Sequence, residues 1–394
     1  MIHPEEFWAG LADDLQERKS QGLFRSLVSS RHVGPTSTIR HGKEVLHFAS
    51  NDYLAMAWNP AVCHEYHRIA STWGVGSGAS PLILGASEEY RNLTIALSSW
   101  HHCDSALVFP SGYAANFGTL AALACPEDLI LSDSLNHACL IDGCRISKAT
   151  LKIYPHCNLN ALDQLLKKHR SEFRMAFIVT DSLFSMDGDL APMAQIDSLC
   201  GQYDAIGLVD EAHAAGVLGP QGQGLLGQAQ CDPSRWIKTG TLSKAVGCSG
   251  GYVVGSQLLC ETLLHRARPL VFSTALPPAV LGAAAKSIEI LQSMDAQRHS
   301  LLELSNHLRR ELQNLGLRTR LDTSPILPVY VDDPHQAIEL STRLLQEGIY
   351  VPAIRPPTVP ADRCLLRISL NAAHTPQDCQ RLLDTLKRIK SSSK

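Results

Sequence analysis

The chain has 394 residues, of which 45% are hydrophobic and 19% charged, with a formal net charge of −3. That composition buries a full core and leaves room for a large domain and a smaller one. There is no basic surplus and no apolar run of membrane-spanning length, so neither a nucleic acid nor a membrane is expected as a partner.

The opening Met1–Glu6 is acidic and lacks a positive stretch followed by an apolar one, which reads as a cytoplasmic protein. Phe7, Trp8, Leu11 and Leu15 recur at helical spacing before Gly34-Pro35 and His41-Gly42 break the pattern, so residues 1–44 are expected to form an N-terminal arm. From about residue 45, short apolar runs alternate with helical patterns. Val45–Ala49, Ala106–Phe109, Leu129–Ser132, Leu151–Tyr154, Met175–Thr180, Ile206–Val209, Trp236–Thr239 and Tyr252–Val254 read as strands. Such alternation predicts an α/β domain over 45–280, a mainly parallel sheet with helices on both faces. Ser87 is placed to cap a helix whose Tyr90, Leu93, Leu97 and Trp100 share a face, and a second helix runs from about Tyr113 to Ala124. Past Pro277-Pro278 come a long helical region to about Gly316, a strand at Pro328–Val331, a helix near His335–Glu347, strand-like Ile349–Ala353 and Cys364–Leu370, and a last helix. This order predicts a smaller α+β domain over 281–394.

Several apparent motifs fail on context. The 12 cysteines contain no C-x-x-C pair, and the adjacent His101-His102-Cys103 would point apart on a helix, so no metal site is expected. Gly222–Gly227 spells G-x-G-x-x-G but follows Gly219-Pro220 rather than a strand, which makes it a glycine-rich loop. Asp210-Glu211-Ala212-His213 resembles a helicase box, yet the chain has no G-x-x-x-x-G-K-[ST] loop for a nucleotide. Gly247–Gly251 fits the G-x-S-x-G elbow of a serine hydrolase, with His374 downstream, but charged Lys244 stands where a buried strand should lead in.

Lys244 is better explained as a reactive amine. It is flanked by small and apolar residues in Thr241–Gly247, where partial desolvation lowers the pKa of an amine and lets it attack a carbonyl. Asp210, closing an apolar run, can keep a pyridine nitrogen protonated, and the pair describes a pyridoxal phosphate (PLP) site. A phosphate needs N–H groups at a helix start, which Pro110-Ser111-Gly112-Tyr113 supplies after a strand. His137, Ser185 and His213 each follow a predicted strand at the edge where open sheets bind ligands.

Together these residues resemble the α-oxoamine synthase family of fold-type I PLP enzymes, from Arg25 to Thr375. The resemblance is carried by Ser50–Leu54, Gly74–Gly78, Ser111–Asn116, Phe184–Asp189, Val209–His213, Ser273–Pro278 and Ala353–Pro360. The last, Ala-Ile-Arg-Pro-Pro-Thr-Val-Pro, looks like the pimeloyl-specific branch. The resemblance implies a Schiff base at Lys244, pairing of the pyridine nitrogen by Asp210, ring stacking by His137, and contacts from His213 and Ser185 on the phenolic-oxygen side. It implies Gly112, Tyr113 and Thr241 as phosphate ligands, with Ser273 and Thr274 reaching the neighbouring subunit's phosphate in a homodimer. Arg355 would hold the amino-acid carboxylate, with Arg25 and Thr358 as further substrate contacts. The implied reaction joins L-alanine to pimeloyl-CoA or a pimeloyl-acyl-carrier protein with loss of CO2, in biotin synthesis. A sister enzyme using glycine and a serine hydrolase are the alternatives.

Overall fold

The computed structural model describes residues 2–391, which divide into two units. The larger comprises 51–185 and 189–300. Its seven-stranded sheet runs, edge to edge, Ser105–Phe109, Gly251–Gly255, Trp236–Thr241, Ile206–Asp210, Ala176–Asp181, Leu129–Asp133 and Thr150–Tyr154. Ile206–Asp210 pairs in parallel with both neighbours, as does Leu129–Asp133, whereas Gly251–Gly255 is antiparallel to both of its own. That one reversed strand returns Ser105–Phe109 to the common direction, and the sheet is mainly parallel as the alternating pattern requires. The central strands are buried along their whole length, which is why Leu129–Asp133 and Ala176–Asp181 each open on a run of apolar residues.

Helices cover the sheet where small residues let them approach. Gly112–Leu123 packs on Ala138–Ile146, and a Cβ on Gly143 would lie 2.8 Å from Leu120. Ser87 caps Glu88–His101 by accepting the Tyr90 N–H, and Leu93, Leu97 and Trp100 are fully buried. Pro278–Leu291 packs against this helix and Pro60–Trp73 through Leu281, Ala284 and Ile288, with Gly282 at the crossing beside Ile69. This apolar face keeps 281–300 in the larger unit, beyond the expected boundary at 280.

The smaller unit comprises residues up to 50, 186–188, and 301 onward. It holds a four-stranded sheet, Ser30–His32, Ser37–Arg40, Lys43–His47 and Ile349–Tyr350, and a three-stranded one, Ile326–Tyr330, Leu365–Ser369 and Ala353–Ile354. The run expected at Val45–Ala49 therefore pairs with C-terminal residues rather than joining the large parallel sheet: Leu46 donates to Gly348 O and Phe48 to Tyr350 O. Residues 349–354 form two short strands in different sheets, divided at Val351-Pro352, instead of one. The helical region expected to run to Gly316 breaks into Pro278–Leu291 and Asp295–Asn314. The N-terminal Pro4–Ser20 helix buries none of its residues.

Candidate active site

Five loops leave the carboxyl ends of parallel strands on one edge of the large sheet, after Phe109, Asp133, Asp181, Asp210 and Thr241. They carry Ser111 to Tyr113, His137, Ser185, His213 and Lys244 respectively. This is the edge at which open α/β sheets bind ligands.

The first loop builds an anion cradle. Ser111 accepts the Ala114 N–H at 3.1 Å, and the first intrahelical bond is Ala115 N–H to Ser111 O at 3.0 Å. The Gly112 and Tyr113 N–H groups thus precede the helical ladder, at the positive end of the helix dipole. The turn is crowded: a Cβ on Gly112 would lie 3.1 Å from Thr241 Cβ, a tight approach, and one on Gly251 would lie 2.3 Å from Ser111 O, which requires glycine there. Thr241, at a strand end, donates to Gly250 O at 2.8 Å and accepts the Ser243 N–H at 3.2 Å. The Tyr113 hydroxyl donates to Asp142, and that bond, with some burial, raises its pKa to about 12.

Asp210 is 5% exposed and ends its strand. Its Oδ1 accepts the Ala212 N–H at 2.8 Å and its Oδ2 the Asn116 side-chain N–H at 2.7 Å. Each oxygen keeps a further lone pair for a ring N–H. His137 caps Ala138–Ile146, and its backbone N–H donates to Asp181 Oδ2 at 2.7 Å. Burial lowers the His137 pKa, the Asp210 charge opposes that, and the Lys244 charge adds to it. The half-buried Lys244 lies close enough to His137, Cys139 and Asp181 to shift all three. Burial, reinforced by Asp210, holds the Asp181 carboxyl well above the usual range. His213 is 5% exposed, with Nδ1 2.7 Å from the hydroxyl of fully buried Tyr53. Lys244, Asp210, His137, Thr241 and the Gly112 turn therefore converge at this edge, and the set fits PLP: a glycine cradle for a phosphate, a buried carboxylate for a ring nitrogen, and a nearby amine.

Ser273 is half-buried and Thr274 exposed, both in a crevice beside Phe109 and Pro110. In the smaller unit, Arg25 Nη2 donates to Thr358 Oγ1 at 2.9 Å and Arg355 Nη2 to Phe24 O at 2.7 Å. Arg355 Nε is buried with no hydrogen-bond partner among the described residues. Burial, then neighbouring Arg25, lowers the Arg355 pKa.

The hydrolase elbow fails. Ser249 is exposed in a turn that leads into the strand Gly251–Gly255, not into a helix. His374 Nδ1 accepts the Asn371 N–H at 3.0 Å and its Nε2 bonds His47 O at 3.0 Å. The glycine-rich loop serves buried Glu211, which accepts the Leu225 and Leu226 N–H groups at 3.0 and 2.7 Å. Asp133, His156 and Cys157 have metal-ligand spacing, but both His156 nitrogens bond carboxylates, Asp133 at 2.9 Å and Asp189 at 2.6 Å. Burial opposes its charge, yet these bonds prevail and raise His156 to about 12, an imidazolium with no lone pair for a metal.

Residues 43–386 match the family described as aminotransferase class I and II. The chain belongs to that family. An 8-amino-7-oxononanoate synthase of Thermoanaerobacter pseudethanolicus is 39% identical over 389 residues, 98% of each chain. One of Geobacter sulfurreducens is 42% identical over 381 residues, 96% of this chain and 97% of its own. Among solved structures, the serine palmitoyltransferase of Sphingomonas wittichii superposes with a TM-score of 0.92 at 29% identity, covering 99% of both chains. The 8-amino-7-oxononanoate synthase of Francisella tularensis gives 0.76 at 27% identity, covering 89% of this chain and 98% of its own. The fold-type I arrangement expected from the sequence is the one these aminotransferase-family neighbours share.

Asn116, Cys139, Asp181 and Tyr53 were not picked out from sequence as site residues. Asn116 and Tyr53 lie inside segments that carry the family resemblance, but their partners stand 94 and 160 residues away. No local pattern marks such pairs.

Proposed function

We propose that this chain joins L-alanine to a pimeloyl thioester with loss of CO2 and release of the thiol, forming 8-amino-7-oxononanoate for biotin synthesis. The observation that carries this reading is the meeting of Lys244, Asp210 and His137 at one sheet edge, in a chain 39–42% identical to synthases of that name along nearly its whole length. PLP, when bound, supplies an electron sink for a carbanion at the amino-acid α-carbon. Lys244 Nζ anchors the cofactor and takes the α-proton. Asp210 holds the ring nitrogen in its protonated form. Gly112, Tyr113 and Thr241 bind the phosphate, His137 covers the ring, and His213 and Ser185 address the phenolic-oxygen side. Arg355, whose buried Nε lacks a partner among the described residues, binds the alanine carboxylate as a guanidinium fork, with Arg25 and Thr358 contacting substrate.

The chain works as a homodimer in the cytoplasm, with Ser273 and Thr274 serving the neighbouring subunit's phosphate. Support for a dimer comes from Val75, Leu82, Ile83, Leu84 and Phe272, large apolar side chains left exposed on the larger unit. For the cytoplasm it comes from 12 free cysteines and from the finding that no helix among the described residues is long and apolar enough to cross a membrane. The donor is pimeloyl-CoA or a pimeloyl-acyl-carrier protein.

A substrate panel tests the reading. Purified enzyme is given alanine, glycine or serine with pimeloyl-CoA, pimeloyl-acyl-carrier protein, or shorter and longer acyl thioesters. Alanine with a pimeloyl donor gives the 8-amino-7-oxononanoate mass and the highest kcat/KM; preference for glycine, serine or another chain length overturns the assignment.

A further inference from the structure

Behind the two groups assigned to the cofactor ring runs a hydrogen-bonded chain that joins them. Thr239 donates its hydroxyl to Asn116 Oδ1 at 2.6 Å, closer than the alternative acceptor Val209 O at 3.2 Å. This orients the Asn116 amide so that its N–H groups face Asp210 Oδ2 at 2.7 Å and Cys139 Sγ at 3.3 Å. The Cys139 sulfur in turn lies 2.9 Å from His137 Nδ1, and the Cys139 backbone N–H donates to the same nitrogen at 3.3 Å. Asn116 is 1% exposed and Cys139 also 1%, so water does not compete.

The direction of each bond is determined by its neighbour. Asn116 Nδ2 has only hydrogens to give, so the sulfur accepts there and its S–H is left for His137 Nδ1. Burial, then the Asp210 and Asp181 charges, push the Cys139 thiol far up, which keeps that hydrogen in place. Nδ1 therefore receives two donors and must offer a lone pair, and a neutral ring then carries its proton on Nε2.

We infer that Asn116 and Cys139 are positioning residues that couple the Asp210 carboxylate to the His137 imidazole and hold His137 as the neutral ring protonated on Nε2. Asp210 keeps a fixed orientation because Asn116 cannot turn its amide without losing Thr239. His137 cannot become an imidazolium without displacing both donors from Nδ1. The stacking ring and the ring-nitrogen partner thus act as one preorganised unit, in which His137 presents its Nε2–H as a hydrogen-bond donor. The inference rests on Asp210 and His137 facing the cofactor.

The test is 15N NMR of histidine-labelled holoenzyme, with the His137 signal assigned by its loss in His137→Asn. The parent shows a neutral imidazole with the proton on Nε2. Cys139→Ser, which can still accept and donate, keeps the parent titration. Cys139→Val, which keeps the site apolar and loses the donor, moves the His137 midpoint up by about one pH unit, a tenfold gain in proton affinity. A purely space-filling cysteine would give the reverse ranking, with Val silent and Ser perturbed, and that result overturns the inference, as does a proton found on Nδ1. If Cys139→Val does not fold, the proton position in the parent decides. A protein that carries no cofactor on Lys244 would sink the reading of the site itself, whereas a holoenzyme protonated on Nδ1 sinks this inference alone.

Discussion

Asp210→Asn separates holding the cofactor from using it. The carboxylate accepts two bonds, from Ala212 N at 2.8 Å and Asn116 Nδ2 at 2.7 Å, at a position 5% exposed. Asparagine keeps one acceptor and turns an NH2 toward the other donor, and Asn116 cannot rotate to relieve this because its Oδ1 accepts from Thr239 at 2.6 Å. One buried donor is left unmet, a loss of about 1–3 kcal/mol of stability. The catalytic loss is larger. A neutral amide does not hold a pyridinium, and removing one partner of a buried charge pair costs about 3–5 kcal/mol. At 1.36 kcal/mol per tenfold, that predicts a fall of about 10²–10⁴ in kcat. The assay is kcat with alanine and pimeloyl-CoA beside the visible absorbance of bound cofactor, since the phosphate cradle and Lys244 are untouched. A coloured variant with kcat within about threefold of the parent, less than 1 kcal/mol, would refute the reasoning.

Three further outcomes follow from the geometry. Gly251→Ala drives a Cβ to within 2.3 Å of Ser111 O and 2.5 Å of Gly112 N, so the phosphate turn shifts and cofactor affinity by equilibrium dialysis drops about tenfold or more, some 1.4 kcal/mol; unchanged affinity contradicts the cradle. Arg355→Lys loses the planar fork, worth about 1.5–3 kcal/mol for a bond between charged groups, and raises the KM for alanine roughly 10- to 100-fold with little change for the acyl donor; an unchanged alanine KM removes Arg355 from the carboxylate role. Burial, then His374 and His32, hold His47 down at about 4 against an ordinary 6.5. Below pH 6.5 the unfolded chain takes up a proton that the folded chain refuses, so the stability this residue contributes above 6.5 is lost as pH falls toward 4, by up to about 1.4 kcal/mol per unit. His47→Phe, read by denaturant titrations at pH 7 and 4.5, loses less stability on acidification than the parent; an equal or greater loss contradicts the assignment.

The central strands of the large sheet were legible where both faces are buried and the sequence shows an apolar run, as in Ala176–Asp181. Lys244, Asp210 and His137 were legible because each follows such a run, and strand ends define the binding edge. What stayed hidden depends on partners far apart in the chain. Lys43–His47 looks like any short strand, and its pairing with Ile349–Tyr350 is set by backbone bonds that leave no trace in composition. Gly251–Gly255 has an apolar run like those of the parallel strands in the sheet, and nothing in its five residues records the reversed direction. Asn116 sits mid-helix among alanines, and only the folded chain brings it to Asp210 and Cys139. Pro277-Pro278 likewise marks the start of a helix but not which unit receives its apolar face, here the larger one.

The central claim is that the amine of residue 244 bears the cofactor at the sheet edge shared with Asp210 and His137. Borohydride reduction of the holoenzyme followed by peptide mapping tests it most directly. The account predicts a single reduced pyridoxyl adduct on the peptide containing Lys244 and no adduct in Lys244→Ala. An adduct on another lysine, or PLP-loaded protein that yields none, would contradict it.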